Sequence, residues 1–551
     1  MHFLHSPIQP YRSRGFSISK VLVGMLAILV LMPVAGLTWN AIQAQASADT
    51  AFSWSVLAEF FTGSLLLSGC VAIGVMLAGT LPAWLVAQFE FPGRRWLEWL
   101  LVLPLAMPAY IMAYGYADFL QYSGPLQSAL RELFNWQVRS DYWFPDIRSL
   151  AGAILILTLA LYPYVYVLAR VAFLEQPPAL LEAARIAGHG RLAVLLRVAL
   201  PVARPAIVAG AALAAMEALA DFGTVSYFGV PTLTTGIFKA WFGQGNLPLA
   251  SQLGLVLLTF AAVAVLLERA SRSRAKYHHN SVRAQPRAQI HSRKRWLAAL
   301  ICVLPCVAGF VLPAALLIRL AYKSNAAIDT AFASLAINSI LLALAAALLT
   351  VVCAIALAYA ARKRAPFMSA LNRAAGTGYA VPGLVLAVGI AVPAIALDKS
   401  LASLLQVLTG QQMPLLISGG VGLLLYAYLA RFLGVGLHAI ESGLSKITTS
   451  IEDAARSMGA SANDTLRRVH LPMMRSSVAM AALLVLVDVL KELPATFVLR
   501  PFNFDTLAVR VYALAMDERL GEAAAPALLI VAIATVPVVL TTRTFAGRYG
   551  S

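Results

Sequence analysis

Apolar runs of about twenty residues, broken by short polar stretches, recur from one end of the chain to the other. A helix rises 1.5 Å per residue, so each run is long enough to cross the roughly 30 Å hydrocarbon layer of a bilayer. The pattern predicts about twelve spans, at 21–38, 64–87, 97–119, 150–174, 206–228, 249–268, 297–320, 337–361, 375–397, 413–437, 477–499 and 524–542. The expected class is therefore all-α and polytopic, with about 12 transmembrane helices.

The polar stretches after the fourth and tenth runs are copies of one another. The first reads Glu182-Ala183-Ala184-Arg185-Ile186-Ala187-Gly188 and continues to Leu200-Pro201; the second reads Asp453-Ala454-Ala455-Arg456-Ser457-Met458-Gly459 and continues to Leu471-Pro472. Gly188 and Gly459 lie 271 residues apart, and so do Pro201 and Pro472. The register runs on into the next span, pairing Glu217 with Asp488 and Asp221 with Glu492. The chain divides accordingly into two pseudo-symmetric six-helix halves, 1–268 and 296–551, joined by a basic linker at 269–295. Each copied stretch, 182–201 and 453–472, predicts a helix, a turn at a glycine free to take positive φ, and a second helix. Glu182 and Asp453 are expected early in their helices, near the positive end of the dipole. Leu200-Pro201 and Leu471-Pro472 are expected to restart the chain as the next membrane helix, with proline in a first turn.

Composition agrees with a membrane protein: 60% of the 551 residues are apolar and 12% charged. The net charge of +17 would suggest nucleic acid in a soluble protein. Here most Lys and Arg share one side if the N-terminus is cytoplasmic and every span is counted, which is the positive-inside pattern. Both termini are thus expected in the cytoplasm, and the basic residues meet membrane lipid and no nucleic acid. Arg12, Arg14 and Lys20 before the first run, with Ala44-Gln45-Ala46 after it, imitate a cleavable signal peptide, but the run is long for one and a retained helix is expected. Cys70, Cys302, Cys306 and Cys353 all fall in apolar runs and form no disulfide or metal framework. No Gly-rich loop ending in Gly-Lys-Ser/Thr is present to cradle a phosphate. His278-His279 in the linker lacks partners for a metal.

Charges inside the spans are the remaining candidates. Glu217 and Asp221, and at matching depth Asp488, Lys491 and Glu492, are expected near mid-bilayer. There each charge costs roughly 2.5 to 3.5 kcal/mol and must face the bundle interior, a partner or water. The i, i+4 spacing would put each acidic pair on one helix face. Two roles stay open: oxygen contacts for a cargo in a central pathway, or interhelical hydrogen bonds with Lys491 neutralising one carboxylate. A conduit must release its cargo, so no stoichiometric metal site is expected.

At the copied stretches the sequence resembles the permease subunits of binding-protein-dependent ABC importers. Their signature is Glu-Ala-Ala, three residues, Gly, nine residues, a branched aliphatic, one residue, Leu-Pro. Val198 and Val469 stand where isoleucine is usual, and Asp453 replaces the glutamate. The resemblance implies a type I ABC importer permease fold. It also implies that Glu182, Ala183, Ala184, Gly188, Leu200, Pro201 and Asp453, Ala454, Ala455, Gly459, Leu471, Pro472 form two coupling elements for a dimer of cytoplasmic ATPase subunits. ATP would then be used by those partners, this chain binding no cofactor and catalysing no covalent step. A narrower resemblance, to the fused ferric-iron permeases of the bacterial inner membrane, rests on Asp488 through Thr496, Leu499 through Ala508, and Ala220 through Val225. It implies a periplasmic, iron-binding delivery protein. Thiamine and phosphonate permeases share part of this pattern and are the alternatives. From another class, an ion-gradient-driven secondary transporter would use the buried carboxylates for protons, and the paired coupling elements argue against it. A membrane-embedded enzyme would need a nucleophile and base that the sequence does not supply.

Overall fold

The computed structural model describes residues 18–43, 54–273, 287–290, 293–324, 330–362, 372, 375–410 and 417–549. Much of the linker 269–295, His278-His279 included, lies outside the described residues. Among the described residues ten helices are long and apolar enough to cross a membrane. Two bent pairs, Arg94–Ala106 with Ala109–Phe134 and Thr465–Met473 with Arg475–Leu490, bring the number of spans to twelve. Each predicted run finds one of these helices, with shifted ends. The fold is all-α, in two pseudo-symmetric halves; the one strand pair described, Phe89–Glu90 against Ala288–Gln289, ties the far end of the linker to the end of helix Trp54–Gln88.

Close helix packing in lipid needs small residues, because no hydrophobic force separates helix from tail. Helix Leu150–Leu174 is gripped in this way. A methyl group at Gly79 would lie 2.8 Å from the Tyr162 carbonyl, and one at Gly210 would lie 2.7 Å from Val165 Cα. The halves interlock through their first helices. Helix Ile18–Gln43 packs on Gly383–Thr409 of the second half, where Gly36 and Gly389 let the backbones touch. Helix Lys294–Cys306 in turn lies against the first half, with Cys302 and Cys306 buried there and Cys306 Sγ 3.4 Å from the Leu100 carbonyl.

The spans expected at 206–228 and 477–499 are not continuous helices. Helix Leu200–Ala220 stops before Asp221, whose backbone is extended, and helix Arg475–Leu490 stops before Lys491. Short helices Gly223–Tyr227 and Pro494–Leu499 follow each break. Pro494 cannot donate to the preceding turn, and a carboxylate at each break takes over the freed amides, as described next. Glu217 and Asp221 therefore do not share a helix face, and neither do Asp488 and Glu492.

Candidate functional site

The two breaks face each other across a cavity of about 140 Å³ between the halves. All five charged residues singled out from the sequence line it: Glu217 and Asp221 from the first half, Asp488, Lys491 and Glu492 from the second. Asp221 and Glu492 do the same local work. Asp221 Oδ1 accepts hydrogen bonds from the Thr224 and Val225 amides, both at 3.1 Å, and Glu492 Oε1 accepts from the Ala495 amide at 3.0 Å. Each carboxylate starts the short helix beyond its break, with charge at the positive end of the turn. Thr224 and Ala495 are 271 residues apart, so the arrangement is a repeat as well.

The cations are not repeated. Lys491 Nζ sits 2.9 Å from Asp488 Oδ1, and Arg431 Nη1 sits 3.1 Å from Glu492 Oε1. Their counterparts at the 271-residue offset are Ala220 and Ala160, which line the opposite wall. Glu217 is held instead by a hydroxyl, the Tyr379 Oη donating to its Oε1 at 2.5 Å across the boundary between halves. The pair Arg431–Glu492 is buried, 9% and 5% exposed, against bare backbone: a methyl at Gly383 would lie 1.8 Å from Arg431 Nη1. Tyr110 Oη, also buried in the cavity wall, has no hydrogen-bond partner. The result is a polar chamber with a purely acidic wall from one half and an acidic wall with two paired cations from the other. Among the described residues no group of three or more His, Cys, Asp or Glu is placed to hold a metal ion. Sequence reasoning missed Arg431, Tyr379 and Tyr110. An arginine inside the run 413–437 was the available signal, since an intramembrane charge is costly enough to need a partner; the tyrosines gave none.

The copied stretches are exposed knobs at one end of the bundle. Helices Pro178–Ile186 and Thr449–Ser457 occupy equivalent positions, and Gly188 and Gly459 take φ of 81° and 83°. In both, the amide three residues past the helix returns to a carbonyl five residues back, His189 to Ala184 at 3.1 Å and Ala460 to Ala455 at 3.0 Å. This is the Schellman closure that a left-handed glycine permits. Glu182 and Asp453 fall in the middle of these nine-residue helices, not in the first turn, and their side chains point to solvent. Ala183 and Ala454 are exposed with them, whereas Ala184 is half-buried and Ala455 buried. Leu200-Pro201 and Leu471-Pro472 do not restart a helix. A π-turn precedes each, Leu195–Ala199 and Thr465–His470, and the Leu200 and Leu471 amides reach back to Leu195 and Leu466. The wider turn carries the helix through a residue that lacks its own amide hydrogen.

The knobs are rooted differently. The first packs by apolar contact, with Leu181 and Ala199 fully buried and Phe91 buried in the same apolar core. At the same offset the second has Glu452, His470 and Arg362. Arg362 Nε donates to Glu452, its Nη1 and Nη2 donate to the Leu444 and Ile447 carbonyls at 2.7 and 2.6 Å, and His470 Nε2 lies 3.4 Å from Glu452. Removing one partner of a buried ion pair costs about 3 kcal/mol or more. Glu452→Ala should therefore loosen the second knob alone, seen as protease cleavage near residue 457 while the equivalent site near 186 keeps its wild-type rate.

Residues 71–277 match the family model of the binding-protein-dependent transport system inner membrane component. Over 492 residues the chain is 25% identical to the Fe(3+)-transport system permease protein FbpB 2 of Haemophilus influenzae, covering 88% of this chain and 89% of that one. A probable molybdenum ABC transporter permease protein of Haloferax volcanii is 29% identical over 264 residues, 47% of this chain and 91% of its own. The molybdenum transport system permease protein ModB of Escherichia coli is 28% identical over 223 residues, 38% of this chain and 93% of its own. The last two match less than half of this chain over nearly the whole of their own length. With twelve spans, two knobs of one geometry and a polar chamber between the halves, the chain carries the inner membrane component of binding-protein-dependent transport systems over residues 71–277 and is similar to ABC importer permeases over most of its length.

Proposed function

We propose that this permease carries ferric iron through the chamber between its halves, driven by two ATPase subunits that dock on the knobs. The knob end then faces the cytoplasm, both termini lie there, and a binding protein delivers cargo at the opposite, periplasmic face of the inner membrane. The observation that carries the cargo assignment is the charge of the chamber. Four carboxylates face two cations, and each cation is already paired with a carboxylate, so the wall favours a hard, oxygen-seeking cation over an oxyanion. A relative that matches over most of both chains at 25% identity is a ferric-iron permease by name, which supports the same choice. Molybdenum permeases match a single module, and an oxyanion would need free donors where Arg431 and Lys491 are engaged. Every carboxylate keeps an intramolecular partner, which suits transit and release.

The test uses the chain with its ATPase in proteoliposomes. Binding protein loaded with ferric iron should stimulate ATP hydrolysis and iron uptake, and stimulation by molybdate-loaded protein alone would overturn the assignment. Glu217→Gln with Glu492→Gln keeps the acceptors for Tyr379 and Ala495 and removes two charges. Glu492→Gln also leaves the buried Arg431 without its carboxylate, so uptake by the double variant is scored per folded, ATPase-bearing complex, where it is expected to fall about tenfold or more. Wild-type uptake in it would show that the carboxylates only pack.

A further inference from the structure

At the end of the bundle away from the knobs, residues 120–149 fold over the first half and enclose a pocket of about 560 Å³. Its walls include Tyr122, Arg139, Tyr142, Trp143, Asp146 and Arg148. The frame is braced from within. Arg131 Nη1 donates to the Tyr122 carbonyl at 2.7 Å and to Tyr142 Oη at 3.1 Å, Tyr142 Oη donates to Gln127 at 2.6 Å, and Trp136 stacks on Tyr142 at 4.6 Å. Trp143 is 86% exposed at the rim.

Arg148 belongs to this pocket and also to the seam between the halves. Its Nη1 and Nη2 donate to Glu518 Oε1 and Oε2 at 2.7 and 3.0 Å, a two-point contact from first half to second. The same Nη2 reaches Tyr227 Oη at 3.0 Å, and the guanidinium lies 4.8 Å above the Tyr227 ring. Arg148 Nε is buried and has no hydrogen-bond partner. Glu518 sits in the turn between helices Leu507–Met516 and Leu520–Tyr549 with φ of 59°, so its side chain is aimed by a bend that few residues adopt. Its carboxyl is held below the usual carboxylate range by the Arg148 hydrogen bond, which outweighs the opposing effect of burial and is helped by the Arg148 charge. The contact is accordingly complete at neutral pH and is lost only as pH falls through that lowered value. Around Tyr512 and Phe497 the halves meet through aromatic rings and a hydroxyl pair: Phe222 on Tyr512 at 5.6 Å, Phe238 on Phe497 at 5.8 Å, and Ser226 with Tyr512 at 2.9 Å. Arg148 and Glu518 thus clasp the side of the chamber through which cargo must enter.

We propose that the pocket receives a carboxylate side chain of the binding protein, which takes Arg148 from Glu518 and so releases the clasp. The Arg148 side chain is 33% exposed and that of Glu518 57%, so the newcomer can reach the guanidinium from the pocket and compete for it. Arg139 adds positive charge to the same wall. Its contact with Asp146, 3.8 Å between two exposed groups, is weak enough to yield. Docking at the rim and opening of the seam become one event at one guanidinium, so an empty permease stays shut. The inference rests on the delivery-protein reading above.

Two variants separate the clasp from the docking site. In a chain with its four cysteines replaced by alanine and Ala220→Cys added in the chamber, a membrane-impermeant thiol reagent is applied from the face opposite the knobs. Glu518→Gln is expected to raise labelling about fivefold with no binding protein present; an unchanged rate would overturn the clasp. The reversed pair Arg148→Glu with Glu518→Arg rebuilds the clasp but presents the pocket with the wrong sign. It should label as slowly as the parent yet give at least fivefold less ATPase stimulation by loaded binding protein, and full stimulation would overturn the docking role. If the parent itself responds to no binding protein, the importer reading fails, while the labelling comparison still decides the clasp.

Discussion

Valine at both Gly188 and Gly459 is expected to uncouple this permease from its ATPase. Both glycines hold φ near +80°, where an L side chain meets its own backbone at a cost of about 1 to 2 kcal/mol and a β-branched one fares worse. No neighbouring atom lies within 4 Å of a methyl group built at either position, so the penalty is one of backbone alone. The chain can escape it by opening the Schellman closure, which swings the nine-residue helix bearing Glu182 or Asp453 away from the docking position. A strain of this size at each knob corresponds to a loss of about five- to thirtyfold in the docked population. ATPase co-purification and ATP-driven uptake should both fall by at least that factor, while the membrane helices keep their stability. Asparagine tolerates the left-handed region, so Gly188→Asn with Gly459→Asn should retain most of the activity. Equal loss with asparagine and valine would mean that the glycines matter for close contact with the ATPase instead of for the turn.

The two single variants should not behave alike. Ile186 is 88% exposed and Leu192 67%, whereas their counterparts are Ser457 and Asn463. The first knob presents two large apolar side chains that docking can bury, at about 25 cal/mol per Å², and the second presents one, Met458, 81% exposed. Gly188→Val should therefore cost more ATPase binding than Gly459→Val.

Much of this was readable from the sequence because two strong regularities dominate it. Apolar length located all twelve spans, and the offset of 271 residues located both knobs and their glycines. What apolar length could not show was where a span breaks. Asp221-Phe222-Gly223 and Glu492-Leu493-Pro494 sit inside runs greasy enough to pass for continuous helix, and Pro163 lies within a helix that does not break. The difference is the carboxylate before each break, which accepts the amides that a broken helix leaves bare. The same carboxylates were read as an i, i+4 face because a helix was assumed there. Nor could the repeat reveal the chamber's asymmetry. A repeat draws attention to positions that match, whereas Arg431 and Lys491 stand where the first half has alanine. The most informative residues in the chamber are thus the ones at which the duplication fails.

Arg431→Met isolates that asymmetry and is expected to have the largest effect on the membrane domain itself. It strips the cation from Glu492, which stays 5% exposed with one oxygen on the Ala495 amide and an uncompensated charge beside Glu217 and Asp488. Breaking a buried pair in this way costs about 3 to 5 kcal/mol. Thermal unfolding of the purified complex should shift down clearly and uptake should be lost. Adding Glu492→Gln removes the orphaned charge while keeping an acceptor for Ala495, so stability should return for the most part. Uptake should not, because the chamber then lacks both the fixed cation that orients Glu492 and the carboxylate itself. The alternative is that the pair only packs the space against Gly383. In that case the double variant, being both stable and close in volume, would transport iron at the wild-type rate, and the chamber wall would be scaffolding at this point. Stability and uptake therefore have to be measured on the same preparations, since only their separation in the double variant assigns Arg431 to the pathway.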